Sequence, residues 1–310
     1  MKKGYRVVRE LPPGITPDYD LFLFHHPVHL QLQSDSWMHF FLIRASSNKA
    51  EAQLSLHVKG DQALSPIRAP FGSVLYASHI LPQVLRDFVE TVESELSEAG
   101  ISSIKLTEPP SYYRRGDLLH HILLQSGYRI GKAELSAGFL IDKKKFVEKL
   151  DDWELPKWKL ALSKKLQAKA LPISKLDQAY AFLSRCREER DQALSMTLQD
   201  LRKTVEAFPK AFLLFGVYLG KELIAATLVI QVARDIWYTF YTGHLKKFDN
   251  LSPVVYLTGE IYRQASRRKV RLLDLGTSTV DGTTNFNLLE FKLRLGAVPG
   301  SKLTFEKDLR

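Results

Sequence analysis

The stretch "LLEFKLRLGA", residues 288–297, has the pattern of an amphipathic helix with one residue out of place. At about 100° per residue, Leu288, Leu289, Phe291, Leu293 and Leu295 share one apolar arc, and Glu290 and Arg294 fall opposite it. Lys292 lies inside the apolar arc, roughly 40° from Leu288. A lysine in that position needs a partner, because its ammonium is costly to bury alone. Three partners are open: the carboxylate of Asp274 in "LLDLG", water reached by snorkelling along the edge of the face, or the anionic part of a ligand in a groove.

Other residues of the same region can move protons. Asp274 stands near the C-terminal end of a predicted parallel strand, where α/β sheets present ligand contacts. Its carboxylate can take a proton from an attacking amine or serve as a structural ion pair. Tyr238 and Tyr241, in "DIWYTFYTGH", can protonate a leaving group or stand as core aromatics with satisfied hydroxyls. His244, at the end of that segment, is a base near neutral pH or an ordinary loop histidine. Earlier in the chain, "SPIRAPFGS" sets Arg68, Phe71 and Gly72 where a strand pattern breaks. A glycine there lets a ligand or backbone approach closely, and Arg68 can hold a phosphate in two-pronged fashion. A bulge with a surface arginine explains the same residues.

Metal chemistry has no such signal. The adjacent pairs His25-His26 and His120-His121 diverge on either a helix or a strand, and no His/Asp/Glu spacing suggests a metal. The single cysteine, Cys186, excludes an internal disulfide and a cysteine-rich metal site. It reads as an inert helical thiol.

These residues need a scaffold, and the pattern from residue 211 onward supplies one. "AFLLFGVYL", "ELIAATLVIQVA" and "DIWYTFYTGH" read as three strands with short connections, an antiparallel meander. A helix follows with Ser252 as N-cap, Pro253 at its first position and Arg267, Arg268 and Lys269 at its end. "VRLLDLGT" is a buried strand, "LLEFKLRLG" a helix and "KLTFEK" a last strand. The first half repeats the order. "WMHFFLIRA", "AQLSLHVKG" and "SPIRAPFGSVLYA" precede the helix "LPQVLRDFVETVESELSEAG", the strand "ISSIKLTEPP", the helix "LLHHILLQSGY" and the strand "KAELSAGFLI". Gly127 and Gly296 each close the second helix.

The 310-residue chain, 45% hydrophobic and 25% charged, thus reads as two copies of one α+β unit. The first spans 1–150 and the second 151–310, the latter opened by a basic linker helix over 151–172. Nine lysines face four acids in residues 143–169, which supply about half of the formal charge of +10. That concentration suits an anionic partner or a solvated helix face. No run of about 18 apolar residues is present, so no transmembrane segment is expected. With no secretory pattern at the N-terminus, the expected location is cytoplasmic.

Two helices, a three-strand meander, a helix, a parallel strand, a helix and a closing strand resemble the GNAT acyltransferase unit. A tandem pair with a basic segment "LPKWKLALSKKLQAKALPISKL" opening the second is similar to the Fem-type peptidyltransferases and their acyltransferase relatives. The stretch "FYTGHLKKFDNLSPVVYLTGEIYRQASRRKVRLLDLGTS", followed by "FKLRLG", carries the resemblance. It implies the fold class: α/β (α+β), two duplicated GNAT-like units, each a mixed sheet with an antiparallel meander and flanking helices.

The resemblance also implies an acyltransferase. An activated, acyl-CoA-like donor would pass its acyl group to an acceptor amine in a cleft of the C-terminal unit. Asp274, Tyr241 and His244 are the catalytic candidates; Lys292, Arg68, Phe71, Tyr238 and Ser252 are the substrate-binding ones. No metal is expected. One departure bears on the donor. GNAT enzymes usually carry a Gly-rich loop whose N–H groups hold the CoA pyrophosphate, and "TGHLKKFDNLSPV" has one glycine. Fem-type proteins also lack that loop and take an aminoacyl group from charged tRNA. A tRNA-dependent peptidyltransferase acting on a cell-wall precursor is therefore the alternative, with the lysines of 155–169 on RNA phosphates. A third possibility is a non-catalytic scaffold, whose marks would be a closed Asp274–Lys292 pair and no open cleft beside Ser252.

Overall fold

The computed structural model describes residues 2–114, 116–280 and 282–309. In chain order the main elements begin with β1 (Tyr5–Val8), β2 (Trp37–Arg44), β3 (Lys49–Lys59) and β4 (Gln62–Ser65). Next come α1 (Pro82–Glu98), β5 (Ser103–Thr107), α2 (Asp117–Gln125) and β6 (Arg129–Leu140). The second half opens with α3 (Leu155–Ser163), β7 (Gln167–Leu171), α4 (Leu176–Glu188) and α5 (Leu198–Ala207). It continues through β8 (Phe212–Leu219), β9 (Glu222–Ala233), β10 (Ile236–His244), α6 (Pro253–Arg267), β11 (Leu272–Thr277), α7 (Phe286–Arg294) and β12 (Val298–Asp308). Meander, helix, strand, helix and closing strand thus occur twice, as the repeat predicts.

The chain forms two compact units: Met1–Glu134 with Ser301–Arg310, and Leu135–Gly300. The repeat pattern divides the chain at residue 150, whereas the contacts exchange the closing strands. β12 runs antiparallel to β5, with Phe305 opposite Leu106, and so belongs to the first unit. The second half of β6 runs antiparallel to β11, with Phe139 opposite Leu273, and so belongs to the second.

In the first unit the strand order is β1-β2-β3-β4-β5-β12. Its core gathers Phe40, Leu54, Leu56, Phe88, Leu106, Leu123 and Phe305. The third meander strand expected over "SPIRAPFGSVLYA", residues 65–77, is not formed as such: the third strand is Gln62–Ser65, just before it. Pro66, in a cis peptide with Ser65, and Pro70 lack the N–H that a ladder requires, so the chain leaves the sheet until Leu75–Tyr76 rejoins β3.

In the second unit the order is β6-β11-β10-β9-β8-β7. β8, β9 and β10 form the predicted meander, and β11 joins β10 in parallel. α6 buries Val255, Leu257, Ile261, Tyr262 and Ala265 on one face, each large apolar side chain contributing about 1.5–3 kcal/mol. Gly259 of that helix lies directly under the Trp158 ring, where a Cβ has no room. The basic helix expected over 151–172 is shorter. α3 ends at Ser163, Lys165 adopts φ 56°, and Leu166 turns into the core. Residues 167–171 then pair with β8 as the edge strand β7, where Lys169 covers the Tyr218 ring.

Candidate active site

β10 and β11 are paired only through Ile236↔Leu272, Trp237↔Leu273 and Tyr238↔Asp274. Two features part them. Phe240 is an extra residue in β10, since Val229 faces Thr239 while Leu228 faces Tyr241, and such a bulge bends a strand. On the other side Gly276, at φ 74°, turns β11 away. A parallel sheet ordinarily stays closed by hydrogen bonds along both edges; here it forks.

The fork holds a cavity of about 660 Å³. β10 lines it from Tyr238 to Phe240 and from Thr242 to His244; Leu275, Gly276 and Thr277 of β11 face them. The start of α6 (Ser252, Val254, Val255, Thr258) and one face of α7 (Leu288, Phe291, Lys292) complete the wall, with Cys186, Arg187 and Arg190 from the end of α4 and its following turn. Lys157 of α3 reaches it as well.

Lys292 is 6% exposed. Its Nζ donates to the carbonyls of Gly276 and Thr277, both at 2.8 Å. Burial lowers its pKa to about 8, against the opposing pull of the Asp274 carboxylate. Asp274 is buried, and its Oδ1 accepts the Gly276 N–H at 2.7 Å. Thr239 donates its hydroxyl to the Asp274 carbonyl at 3.1 Å. The Tyr238 ring packs against Gly276, where a Cβ would come within 3.2 Å of it. Burial first, and then the charge of Asp274, push the Tyr238 phenol upward, so it stays protonated.

His244 also lines the cavity. Its Nε2 lies 2.7 Å from Asp249 Oδ1, and Arg190 donates to the His244 carbonyl at 2.8 Å. Arg190 Nη2 also lies 3.2 Å from Nε2, but the shorter contact is to the carboxylate, which favours the proton on Nε2 and the lone pair on Nδ1. Burial, then the Arg190 charge, lower the His244 pKa below its usual 6.5, with Asp249 opposing. The imidazole is therefore neutral at pH 7.

The structure brings together Tyr238, His244, Ser252 and Lys292 on the cavity wall, with Asp274 one residue behind it. Tyr241 goes elsewhere: its hydroxyl is 2.7 Å from Ser195 Oγ and accepts the Met196 N–H at 2.9 Å, tying down the loop before α5. Ser252 occupies the N-cap position of α6 with φ 46°, and its side chain makes no cap hydrogen bond. Arg68 and Phe71 belong to the first unit. Arg68 is exposed, and its backbone N–H meets Gln33. Phe71 is 1% exposed, edge-on to Phe22, Phe24 and Tyr113, and offers no free face to a ligand.

Sequence reasoning missed Thr239 as a site residue. Arg190, in the helical segment "CREERDQALSMT", has acidic neighbours to pair with on sequence, whereas the fold takes it across to Asp249 at 3.3 Å. Only the fold brings residues 59 apart together. Cys186 lines the wall beneath Gly243, and burial pushes its thiol up to about 11, the inert state expected of it.

Residues 169–287 match the acetyltransferase (GNAT) domain family. No curated protein sequence matches the chain. Among solved structures, FemX superposes with a TM-score of 0.71 at 13% identity, covering 93% of this chain and 92% of FemX. L-PGS from Bacillus licheniformis gives 0.57 at 14% identity, with 91% and 87% covered. A tandem GNAT protein from the clavulanic acid biosynthesis pathway gives 0.52 at 10% identity, with 88% and 83% covered. The fold is a Fem-like tandem GNAT fold. Among the described residues no helix is long and apolar enough to cross a membrane.

Proposed function

We propose that this tandem GNAT chain is an acyltransferase whose reaction takes place in the fork between β10 and β11. The observation that carries the reading is the fork itself, which opens a cavity of about 660 Å³ directly beyond the Tyr238–Asp274 pair. A separated strand edge exposes backbone N–H groups to a carbonyl oxygen, and fixed donors of that kind stabilise a developing oxyanion. The amine lone pair attacks the carbonyl carbon of the activated thioester or ester. A C–N bond forms, the tetrahedral oxyanion collapses, and the C–S or C–O bond breaks. His244, neutral and oriented by Asp249, takes the amine proton through Nδ1. The protonated Tyr238 hydroxyl gives a proton to the leaving group. Lys292 and Asp274 hold the Gly276 turn, and the Lys292 ammonium offsets the negative charge.

An acyl-CoA-like donor finds apolar walls at Val254, Val255, Leu275 and Phe291 of the cavity. The second reading, an aminoacyl-tRNA donor, draws on Lys157. That residue lines the cavity and continues into Lys159, Lys164 and Lys165. The open cavity beside Ser252 speaks against an inert scaffold.

The test is a thermal-shift and turnover panel of acyl-CoAs against aminoacyl-tRNA mimics. Stabilisation and turnover with acyl-CoA alone support the first reading. Response to the tRNA mimics alone, with steep salt dependence, replaces it with the second. No response to any donor overturns both.

A further inference from the structure

The first unit contains a polar cluster that the transfer reaction does not use. Three segments converge at the start of β3. Thr16–Pro17 pairs in parallel with Lys49–Ala50, bringing Asp18, whose N–H donates to the Ala50 carbonyl at 2.8 Å. Leu75–Tyr76 pairs with Ala52–Gln53 from the other side, bringing His79. The Ala77 N–H donates to the Glu51 carbonyl at 2.7 Å.

Glu51 between them is an extra residue. Ile43 faces Ala50 and Leu42 faces Ala52, so Glu51 has no partner in β2 and forms a bulge. Bulges redirect a side chain. This one sends the carboxylate towards Asp18 and His79: His79 Nε2 lies 3.5 Å from Glu51 Oε1 and 3.6 Å from Asp18 Oδ2. The ligand atoms of all three lie within 4.8 Å of one another.

The state of Glu51 is the second observation. It is 1% exposed, yet neither carboxylate oxygen has a hydrogen bond. Arg44 Nε approaches Oε1 at 2.6 Å, but its N–H is directed to the Tyr5 hydroxyl at 3.0 Å. That contact is ionic, and it leaves Oε2 with nothing. Arg44 thus balances charge at Oε1 only, and a buried carboxylate oxygen with no donor is costly. A second cation on the side of Asp18 and His79 meets that need.

We infer that Asp18, Glu51 and His79 form a site for one divalent transition-metal ion. An imidazole nitrogen with two carboxylates is a donor set for zinc or manganese, and it leaves at least one position open to water. The 3.5 and 3.6 Å separations approach the edge of about 3.4 Å expected for a tetrahedron with bonds of about 2.1 Å. The ion ties the segment before β2 and the segment before α1 to the bulge between them. The ligands are 28 and 33 residues apart in the chain, which is why no local spacing announces the site.

The test uses the full chain, stripped with a chelator and titrated with Zn2+ by calorimetry and in a melting assay. One equivalent per chain, with a raised melting temperature, is expected. Asp18→Asn and His79→Ala, both at exposed positions, should fold normally and bind Zn2+ at least about ten-fold more weakly. Absence of binding overturns the site, and so does binding that both variants leave unchanged, which would place the ion elsewhere. Mg2+ binding as tightly as Zn2+ and independently of His79 also overturns it, since the imidazole would then not be a ligand.

Discussion

Lys292 and Asp274 hold the same residue from opposite sides: Lys292 Nζ donates to the Gly276 carbonyl at 2.8 Å, and Asp274 Oδ1 accepts the Gly276 N–H at 2.7 Å. The lysine that lies on the wrong side of the α7 wheel thus fastens the end of β11, and the aspartate sets the angle of the same turn. A methionine at 292 keeps the volume but leaves two carbonyls without their donor. Loss of a buried charged hydrogen bond costs about 1.5–3 kcal/mol. The proposed role adds a fall in kcat/KM of about 100-fold or more. Chemical denaturation alongside turnover per folded molecule separates the two. Full turnover in Lys292→Met would confine Lys292 to a structural tie.

The depressed lysine also predicts a pH dependence of stability. Its pKa falls from 10.5 to about 8 on folding. Between these values the unfolded chain holds the proton that the folded chain has released, so stability rises with pH across that window. Below about 8 and above about 10.5 this residue gives no slope. The full gain is up to about 3 kcal/mol. Denaturant unfolding at pH 7 and pH 10 for the wild type and Lys292→Met should show this gain only in the wild type. Equal slopes would contradict it.

Gly276→Ala tests the fork from the other strand. The position has φ 74°, and the added methyl meets the Tyr238 ring. Backbone strain of about 1 kcal/mol or more is expected, together with a displaced Tyr238 hydroxyl. Melting temperature and turnover should both fall. A variant with unaltered turnover would show that Tyr238 does not take part.

His244→Ala should lower kcat by about 100-fold, the contribution of a positioned base. Because burial and Arg190 lower the His244 pKa below 6.5, the acid limb of the rate profile should lie below pH 6.5. Removing the opposing carboxylate with Asp249→Asn should move that limb further to acid. A limb that stays in place would assign the titration to another group.

Much of the second unit is legible in its residues, because "ELIAATLVIQVA" and "DIWYTFYTGH" are rich in β-branched and aromatic residues and joined by short connections, and Pro253 starts α6 where it should. The fork is not legible. It depends on the bulge at Phe240 and on where β11 stops pairing, and both are set by partners distant in the chain. The exchange of β6 and β12 is hidden for the same reason, since a strand's pattern records its faces and not its neighbours. Of the site residues, Lys292 announces itself by breaking the apolar arc. Tyr241 and Phe71 carry the right chemistry but are taken up by packing and by Ser195 and Met196. Thr239 has no sequence signal of its own, and the acidic neighbours of Arg190 in the chain hide its reach to Asp249.

The place of β12 sets a timetable for synthesis. Residues 135–300 are contiguous in the chain, but the first unit is completed by residues 301–310, which are made after the whole of the second unit. Until then β5 lacks the partner that puts Phe305 opposite Leu106, and the earliest-made half of the chain waits with an unpaired strand edge. The N-terminal unit thus finishes after the second, and a stop just before residue 301 would injure the part of the protein made first.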